Sequence, residues 1–507
     1  MIRGRAFFSY RIDNSRGRVH PSHIRRRRTS LCDLRESFAP SAFKRASLNR
    51  RGRWRRREGR KEFFRQRTLR LDSSTTVEQS EQGARATGYI ALLRRRRDFR
   101  LLWLGQVISQ LGDWFDTIAL FTLVLRLTGS GRAVGLVLVA RFLPSVVLGP
   151  LSGVVADRFN RRHIMIASDV ARAVVVLGFL LVRRPEQVWL VYVLTVLQLG
   201  FSAFFEPARS ATVPSVVSER ELVTANSISS VTWSAMLTLG AAIGGPITGW
   251  FGTDAAFVID SLTYVASALL IYSITLPPRR PREKRKLTLA KALGITDSLE
   301  GLRYVWSRPR VLALLLVKPA WGLGGGILTL LPVFGEKIFP VAGSAAVGMS
   351  VLYAARGIGT AVGPVLTRRF YSETRQQMQR SIGVAFIVAG AFYVLFGSSG
   401  SFWLALLFLA VAHMGGSVLW VFSTVLLQST VEDDFRGRVF AAELMLMTLS
   451  IAASNYATGE ALDRLNYSPR TVTAAIGIFF ILPGALWFIT RRWWDRSPAR
   501  AAHADEV

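Results

Sequence analysis

The sequence predicts an all-α membrane protein of twelve transmembrane helices in two six-helix bundles, with both termini cytoplasmic. Three observations carry this. Apolar runs long enough to cross a bilayer recur from Phe99 onward. The longest gap between runs, 277–310, divides them six and six. Basic residues collect in alternate loops, which the positive-inside rule assigns to the cytoplasm.

The runs are 99–125, 133–156, 164–182, 188–206, 225–250, 254–276, 311–334, 345–367, 381–397, 402–428, 439–462 and 471–490. Each is about 17–28 residues, enough for a helical span. The expected organisation is a first bundle over 86–276, a linker over 277–310, a second bundle over 311–490 and a cytoplasmic tail over 491–507. The linker holds Arg279, Arg280, Arg282, Lys284, Arg285 and Lys286, then an amphipathic stretch with Leu293, Leu299, Leu302, Val305 and Trp306. It reads as cytoplasmic, with a surface helix. Arg94–Arg97, Arg158–Arg162, Arg368–Arg369, Arg436 with Arg438, and Arg491–Arg492 share its side of the membrane. Arg183–Arg184 is the main exception. The halves repeat weakly: Gly149 and Gly153 match Gly359 and Gly363, with Thr367 where the first copy has Asp157.

Half of the 507 residues are hydrophobic and the mean hydropathy is +0.29, too apolar for a soluble protein of this size. The formal net charge of +32 invites a nucleic-acid partner. Its location argues otherwise. Much of it precedes residue 100, in runs such as Arg25–Arg28 and Arg55–Arg57, and the rest lies mostly in short loops. No nucleic-acid partner is therefore expected. Residues 1–85 are rich in Arg and Ser without an apolar period, and read as a basic disordered extension. No apolar core of a signal peptide follows the basic start. An arm that binds anionic lipid or nucleic acid is the functional alternative. A start site called too early is another, although no Met falls between Met1 and Met165. The single cysteine, Cys32, excludes an intramolecular disulfide and a cysteine metal cluster.

The stretch Gly149-Pro150-Leu151-Ser152-Gly153-Val154-Val155-Ala156-Asp157-Arg158-Phe159-Asn160-Arg161-Arg162 closes the second run with small residues, an acid and a basic turn. Small residues let helices approach closely in lipid, and Asn160 is a turn residue that tolerates left-handed geometry. The pattern resembles the loop between helices 2 and 3 of major facilitator superfamily transporters, with Asn160 where the family usually has Gly. Phe99-Arg100-Leu101-Leu102-Trp103-Leu104-Gly105-Gln106, Phe205-Glu206-Pro207-Ala208-Arg209-Ser210-Ala211, Glu300-Gly301-Leu302-Arg303-Tyr304 and Arg436-Gly437-Arg438-Val439-Phe440 resemble the branch that includes the enterobactin exporter and macrolide-efflux proteins. The resemblance covers about residues 95–495. It implies the major facilitator fold and secondary active transport, usually driven by the proton gradient. It also implies a conformational latch made by Gly149, Gly153, Asp157, Arg158, Arg161 and Arg162 with Arg436 and Arg438 at the start of helix 11. Gly240, Gly244, Gly245, Pro246 and Gly249 partly resemble the glycine-proline hinge of antiporter helix 5, departing at Ala241 and Trp250. Ordinary close packing explains these glycines equally well.

The first run carries a polar stripe. Gln106, Ser109, Gln110, Asp113, Asp116 and Thr117 share one helical face, opposite Leu104, Val107, Leu111, Phe115 and Ile118. In lipid that stripe must face a water-filled cavity or a polar partner. Burial favours the neutral form of a carboxyl group, which a proton carrier needs. Asp113 and Asp116 are therefore proton-coupling candidates. Arg141 falls at the depth of Asp116, counting ~1.5 Å per residue along each helix, and is its expected partner. Gln106, Gln110, Lys318, Arg356 and His413 are cavity candidates. A charge within an apolar run costs at least ~2.5–3.5 kcal/mol, so it needs a reason to be there. Pairing of the bases with Glu443 or Glu460 is the plainer alternative. Lys318 also precedes Pro319 and Gly322-Leu323-Gly324-Gly325-Gly326, which should loosen span 7.

No enzyme site is expected. There is no phosphate-binding G-x-x-x-x-G-K-[ST], and the histidines lack metal spacing, so neither a cofactor nor a metal is implied. The expected partners are a small-molecule substrate, protons and the lipid bilayer of the plasma membrane, with the chain acting as a monomer. The leading reading is a proton-coupled exporter of small amphipathic molecules. A lipid flippase, an importer and a non-transporting receptor are the alternatives.

Overall fold

A computed structural model describes residues 88–276, 295–370 and 374–494. The 1–85 extension, the basic cluster of the linker and the tail beyond residue 494 lie outside the described residues. The helices are α1 (Tyr89–Arg95), α2 (Arg97–Thr128), α3 (Gly131–Arg158), α4 (Arg161–Leu177), α5 (Val188–Val216), α6 (Leu222–Tyr272), α7 (Ile295–Trp306), α8 (Pro309–Gly322), α9 (Ile327–Lys337), α10 (Ala345–Phe370), α11 (Arg375–Ser398), α12 (Phe402–Thr430), α13 (Asp433–Asp463) and α14 (Pro469–Trp494). Among the described residues, eleven helical stretches are long and apolar enough to cross a membrane.

Local chemistry sets the ends. Gly129 closes α2 at φ 62°, where a residue without Cβ suffers no clash. Ser130 caps α3 by accepting from the Ala133 amide at 2.9 Å. Asn160 does not take the left-handed turn expected of it. At φ −69° and ψ 114° it is the N-cap of α4, and its side chain accepts from the Arg162 amide at 3.0 Å.

Spans 5 and 6 are the two parts of α6, joined by a kink at its one non-helical residue, Gly252 at φ 86°, inside the 251–253 gap expected between them. The element boundaries correct two expectations. Span 4 does not stop at residue 206, since α5 continues past Pro207 and Pro214 to Val216. Span 7 is divided into α8 and α9, with Gly324 donating to Trp321 and Gly325 to Gly322 in short i to i−3 bonds. The glycine run interrupts the α-helix of span 7, as expected of it, and is also a packing surface. A Cβ on Gly324 would lie 1.5 Å from the Phe480 ring, and one on Gly326 would lie 2.0 Å from Thr458 Oγ1. The linker helix α7 buries Tyr304 and Val305 and leaves Leu302 and Trp306 exposed, so its buried face is narrower than the sequence indicated. The loop exception Arg183 is neutralised by Asp254 at 2.8 Å.

Helices before the linker pack chiefly among themselves, as do those after it, and the two halves meet mainly through α3 on α13 and α6 on α10. These junctions lie at one end of the molecule. A Cβ on Gly135 would stand 2.6 Å from the Asn455 carbonyl oxygen, and one on Gly459 would stand 2.7 Å from Arg132 Cα. Gly245 and Gly249 admit Ser350 and Ser344 of the other half equally closely. Polar contacts seal the same end. Asp463 accepts from the Ser130 hydroxyl, and from the Gly131 and Arg132 amides at 3.1 and 3.0 Å. Arg132 pairs with Glu460 at 2.7 Å. Toward the opposite end of the same two helices, a Cβ on Gly149, Gly153 or Gly437 would meet nothing within 4 Å among the described residues. The halves are therefore closed at the Asp463 end.

Asp463 satisfies orphan amides at the start of a helix from the other half, where a carboxylate also meets the positive end of the dipole. Losing such a cap costs ~1 kcal/mol, or about a fivefold shift in an equilibrium. Asp463→Ala should raise the population open at this end by about that factor. Spin labels on the 128–131 and 464–467 turns report it as a gain in long distances. An unchanged distribution would show that close glycine packing alone holds the end shut.

Candidate functional site

The polar face of α2 enters a buried cluster built by five helices. Asp116 is fully buried, and its Oδ2 accepts from Gln198 Nε2 of α5 at 3.2 Å and faces Arg141 of α3 at 3.7 Å. The sequence reckoning of equal depth thus brings Asp116 and Arg141 together. Asp113, one turn earlier, is half-buried and accepts from the Tyr264 hydroxyl of α6. Gln198 also donates to that hydroxyl oxygen at 3.3 Å. The two acids are therefore bridged by one glutamine and one tyrosine.

Behind Tyr264 stands a second ion pair, Asp169 with Arg172, both on α4 and both buried. The Arg172 guanidinium lies 4.3 Å from the Tyr264 ring centroid and 4.7 Å from that of Phe205. Such stacking stabilises a desolvated guanidinium. Asp260, one turn before Tyr264, is fully buried and accepts from Thr263 Oγ1 at 3.2 Å. None of Asp169, Arg172, Gln198, Asp260 and Tyr264 was singled out from the sequence. For the three charged residues the signal was present, since each interrupts an apolar run.

The other candidates separate. Gln106 is buried and accepts from Arg209 at 2.9 Å, which also pairs with Glu206 at 2.9 Å. Gln110 is half-buried, and its Oε1 has no hydrogen-bond partner among the described residues. In the second half, Lys318 is buried against Glu443 at 2.7 Å, with the Trp420 ring 4.7 Å away. Its plainer alternative therefore holds in this conformation. His413 Nδ1 shares a hydrogen bond with the Tyr393 hydroxyl at 2.8 Å, while Nε2 lacks a partner among the described residues. Arg356 is half-buried near the Tyr353 ring, at 5.9 Å. Arg356 and His413 stand near one another beside Tyr393, while Lys318 is held by Glu443.

The residues of the expected latch are held within their own halves by the contacts that follow. Asp157 lies 4.0 Å from Arg161, which donates to the Ala211 carbonyl at 2.5 Å. Arg162 donates to the Tyr272 carbonyl and stacks on that ring at 4.8 Å. Arg158 is exposed. Arg436 pairs with Asp433 at 2.6 Å, and Arg438 with Glu300 of α7 at 3.0 Å. Gly240 and Gly244 pack on Trp114 and Phe115 of α2, while Gly245 and Gly249 pack on α10. Pro246 sits within α6 without a break in helical dihedrals, so these residues serve close packing in this conformation.

Apolar helices that enclose charged and amide side chains, in two halves joined at the Asp463 end, define a multi-pass membrane protein of the transporter class. The chain belongs to the major facilitator superfamily: the profile described as "Major Facilitator Superfamily" matches residues 102–455. The uncharacterized MFS-type transporter YfiS of Bacillus subtilis is 28% identical over 391 residues, covering 71% of this chain and 85% of the relative. Macrolide efflux protein A of Streptococcus pyogenes is 24% identical, covering 76% of this chain and 93% of the relative. The fold also matches a crystal structure of a bacterial homologue of the human lysosomal transporter Spinster, with TM-score 0.62 and 16% identity over 80% of this chain and 99% of that one.

Proposed function

We propose that this chain is a proton-coupled exporter of small amphipathic molecules that works by alternating access as a plasma-membrane monomer. The observation that carries the reading is the pair Asp113 and Asp116. They lie one turn apart within a membrane-length helix, one fully buried beside Arg141 and the other half-buried. A carboxylate that alternates between water and protein is suited to load and release a proton. Kinship with a macrolide efflux protein supports export and an amphipathic substrate. Gln110 and Arg356 are the substrate-facing polar groups in this reading.

The topology belongs to the proposal. Counting the two parts of α6 separately at Gly252 gives twelve spans, six over 86–276 and six over 311–490, with both termini cytoplasmic. The Asp463 end is then extracellular, and the conformation described is open to the cytoplasm. The test is flux in proteoliposomes with and without a proton gradient, across hydrophobic cations, macrolides and catechol siderophores. Flux that ignores the gradient for every transported compound would reject proton coupling.

The latch follows from the same scheme. When the cytoplasmic side closes, Asp157 reaches the start of α13, where a carboxylate meets a positive helix end and guanidinium groups. A dipole contribution of up to ~2 kcal/mol changes the ratio of states by up to about 30-fold. Asp157→Asn should lower transport by favouring the inward-open state. Distances between labels on the 157–163 and 432–438 loops check this. Lost transport with wild-type distances would reject the latch.

A further inference from the structure

We propose that Asp260 is a proton-binding site separate from Asp113 and filled in the conformation described here. The proposal deepens the proton-coupled reading above and rests on it for a place in the transport cycle. Its ground is the charge and hydrogen bonding around Asp260 itself.

Asp260 has no exposed surface. Its Oδ1 accepts from the Thr263 hydroxyl, and its Oδ2 has no hydrogen-bond partner among the described residues. No water-filled space separates it from α2, because a Cβ on Gly112 would lie 2.3 Å from Oδ1. The charged and titratable groups facing it are Asp113 and Asp116 on α2, Arg172 on α4, which is paired with Asp169, and Tyr264 on its own helix. The two guanidinium groups of the cluster are already engaged, Arg172 with Asp169 and Arg141 with Asp116. Four carboxyl groups therefore share two cations. Asp113 is half-buried and receives the Tyr264 hydroxyl, so part of the surplus charge sits where water can reach it. Asp260 has a hydroxyl, from Thr263, but no exposure to water.

An ionised carboxylate this dry, held by one hydroxyl and beside other acids, is far costlier than its neutral form. A proton is the smallest cation that removes the cost. Among the described residues no three His, Cys, Asp or Glu side chains are placed to hold a metal ion. The link to the carrier is direct. Gly112, which touches Asp260, precedes Asp113 in the chain, and Tyr264, which donates to Asp113, lies one helical turn beyond Asp260. Two neighbouring acids resist ionising together, so release of one proton raises the hold on the other. A shift of α2 that accompanies closure at the other end would alter both sites at once.

Infrared spectra of the purified full-length protein in lipid nanodiscs at neutral pH test the site. The expected result is a carboxylic-acid C=O band that Asp260→Asn removes and Asp113→Asn retains. Thr263→Val, which takes away the one hydrogen bond to Oδ1, should shift that same band and serves if the Asp260 variant does not fold. A carboxylic-acid region identical to wild type in Asp260→Asn, or a band insensitive to Thr263→Val, would overturn the proposal. So would loss of the band on adding sodium chloride in place of choline chloride, which would assign the charge to a metal cation. Wild-type flux with and without a proton gradient tests the coupling reading separately. Gradient-independent flux with the band present would sink that reading and leave the proton on Asp260 intact.

Discussion

Asp113→Asn is expected to abolish gradient-driven flux while energy-independent substrate exchange continues at a substantial fraction of wild type. Asn retains the size of the side chain and an acceptor oxygen but cannot release a proton. The structure makes this a mild change for folding. The Asp113 side chain receives one hydroxyl, from Tyr264, and an amide oxygen can accept the same bond. Asp113 is half-buried, and its replacement strands no cation, because Arg141 stands with Asp116 and Arg172 with Asp169. The measurement is uphill transport and counterflow in the same proteoliposomes. Tyr264→Phe is the control: it removes the donor, keeps the acid, and should weaken coupling without abolishing it. Normal uphill transport by Asp113→Asn would eliminate this carboxylate as the carrier.

Why Asp113 could be found from sequence, and Asp260 was not, has a physical answer. The bilayer forces each span to declare itself by length and hydropathy, and a polar stripe at helical spacing fixes which face of α2 avoids lipid. Depth along two antiparallel helices then brings Asp116 and Arg141 to one level, where they lie 3.7 Å apart. Helical periodicity says nothing about how neighbouring helices are rotated. The bond from Tyr264 to Asp113 joins residues 151 positions apart, and only packing places α6 behind α2. Asp169 and Arg172 are three residues apart in an apolar run, a legible signal that a single-helix stripe analysis passes over. The same limit explains Gln106. Its place on the stripe is as predicted, but Arg209 occupies it. Helix ends were less legible: hydropathy closed span 4 at residue 206, while α5 continues to Val216. Gly252 falls within the 251–253 gap that hydropathy left between spans 5 and 6.

Lys318→Met should destabilise the protein by ~3–5 kcal/mol, the cost of stranding one charge of a buried pair. Lys318 of α8 and Glu443 of α13 are both buried, and their contact at 2.7 Å is the one hydrogen bond of the Lys318 ammonium group among the described residues. The second carboxylate oxygen of Glu443 has no partner there. Without Lys318, Glu443 keeps its burial and loses its cation. Glu443→Gln removes the opposite charge and leaves the ammonium beside the Trp420 and Phe440 rings, at 4.7 and 5.6 Å. Those rings attract a cation, worth ~2 kcal/mol when desolvated, so Glu443→Gln should cost less than Lys318→Met. The double variant Lys318→Met with Glu443→Leu should recover most of the loss, since apolar replacement of a whole buried pair is often neutral or better. Thermal inactivation of detergent-purified protein, followed by substrate binding, orders the three variants. If the double variant is as unstable as Lys318→Met alone, packing at these positions outweighs charge. If Glu443→Gln proves the worst of the three, the aromatic rings do not support the stranded ammonium.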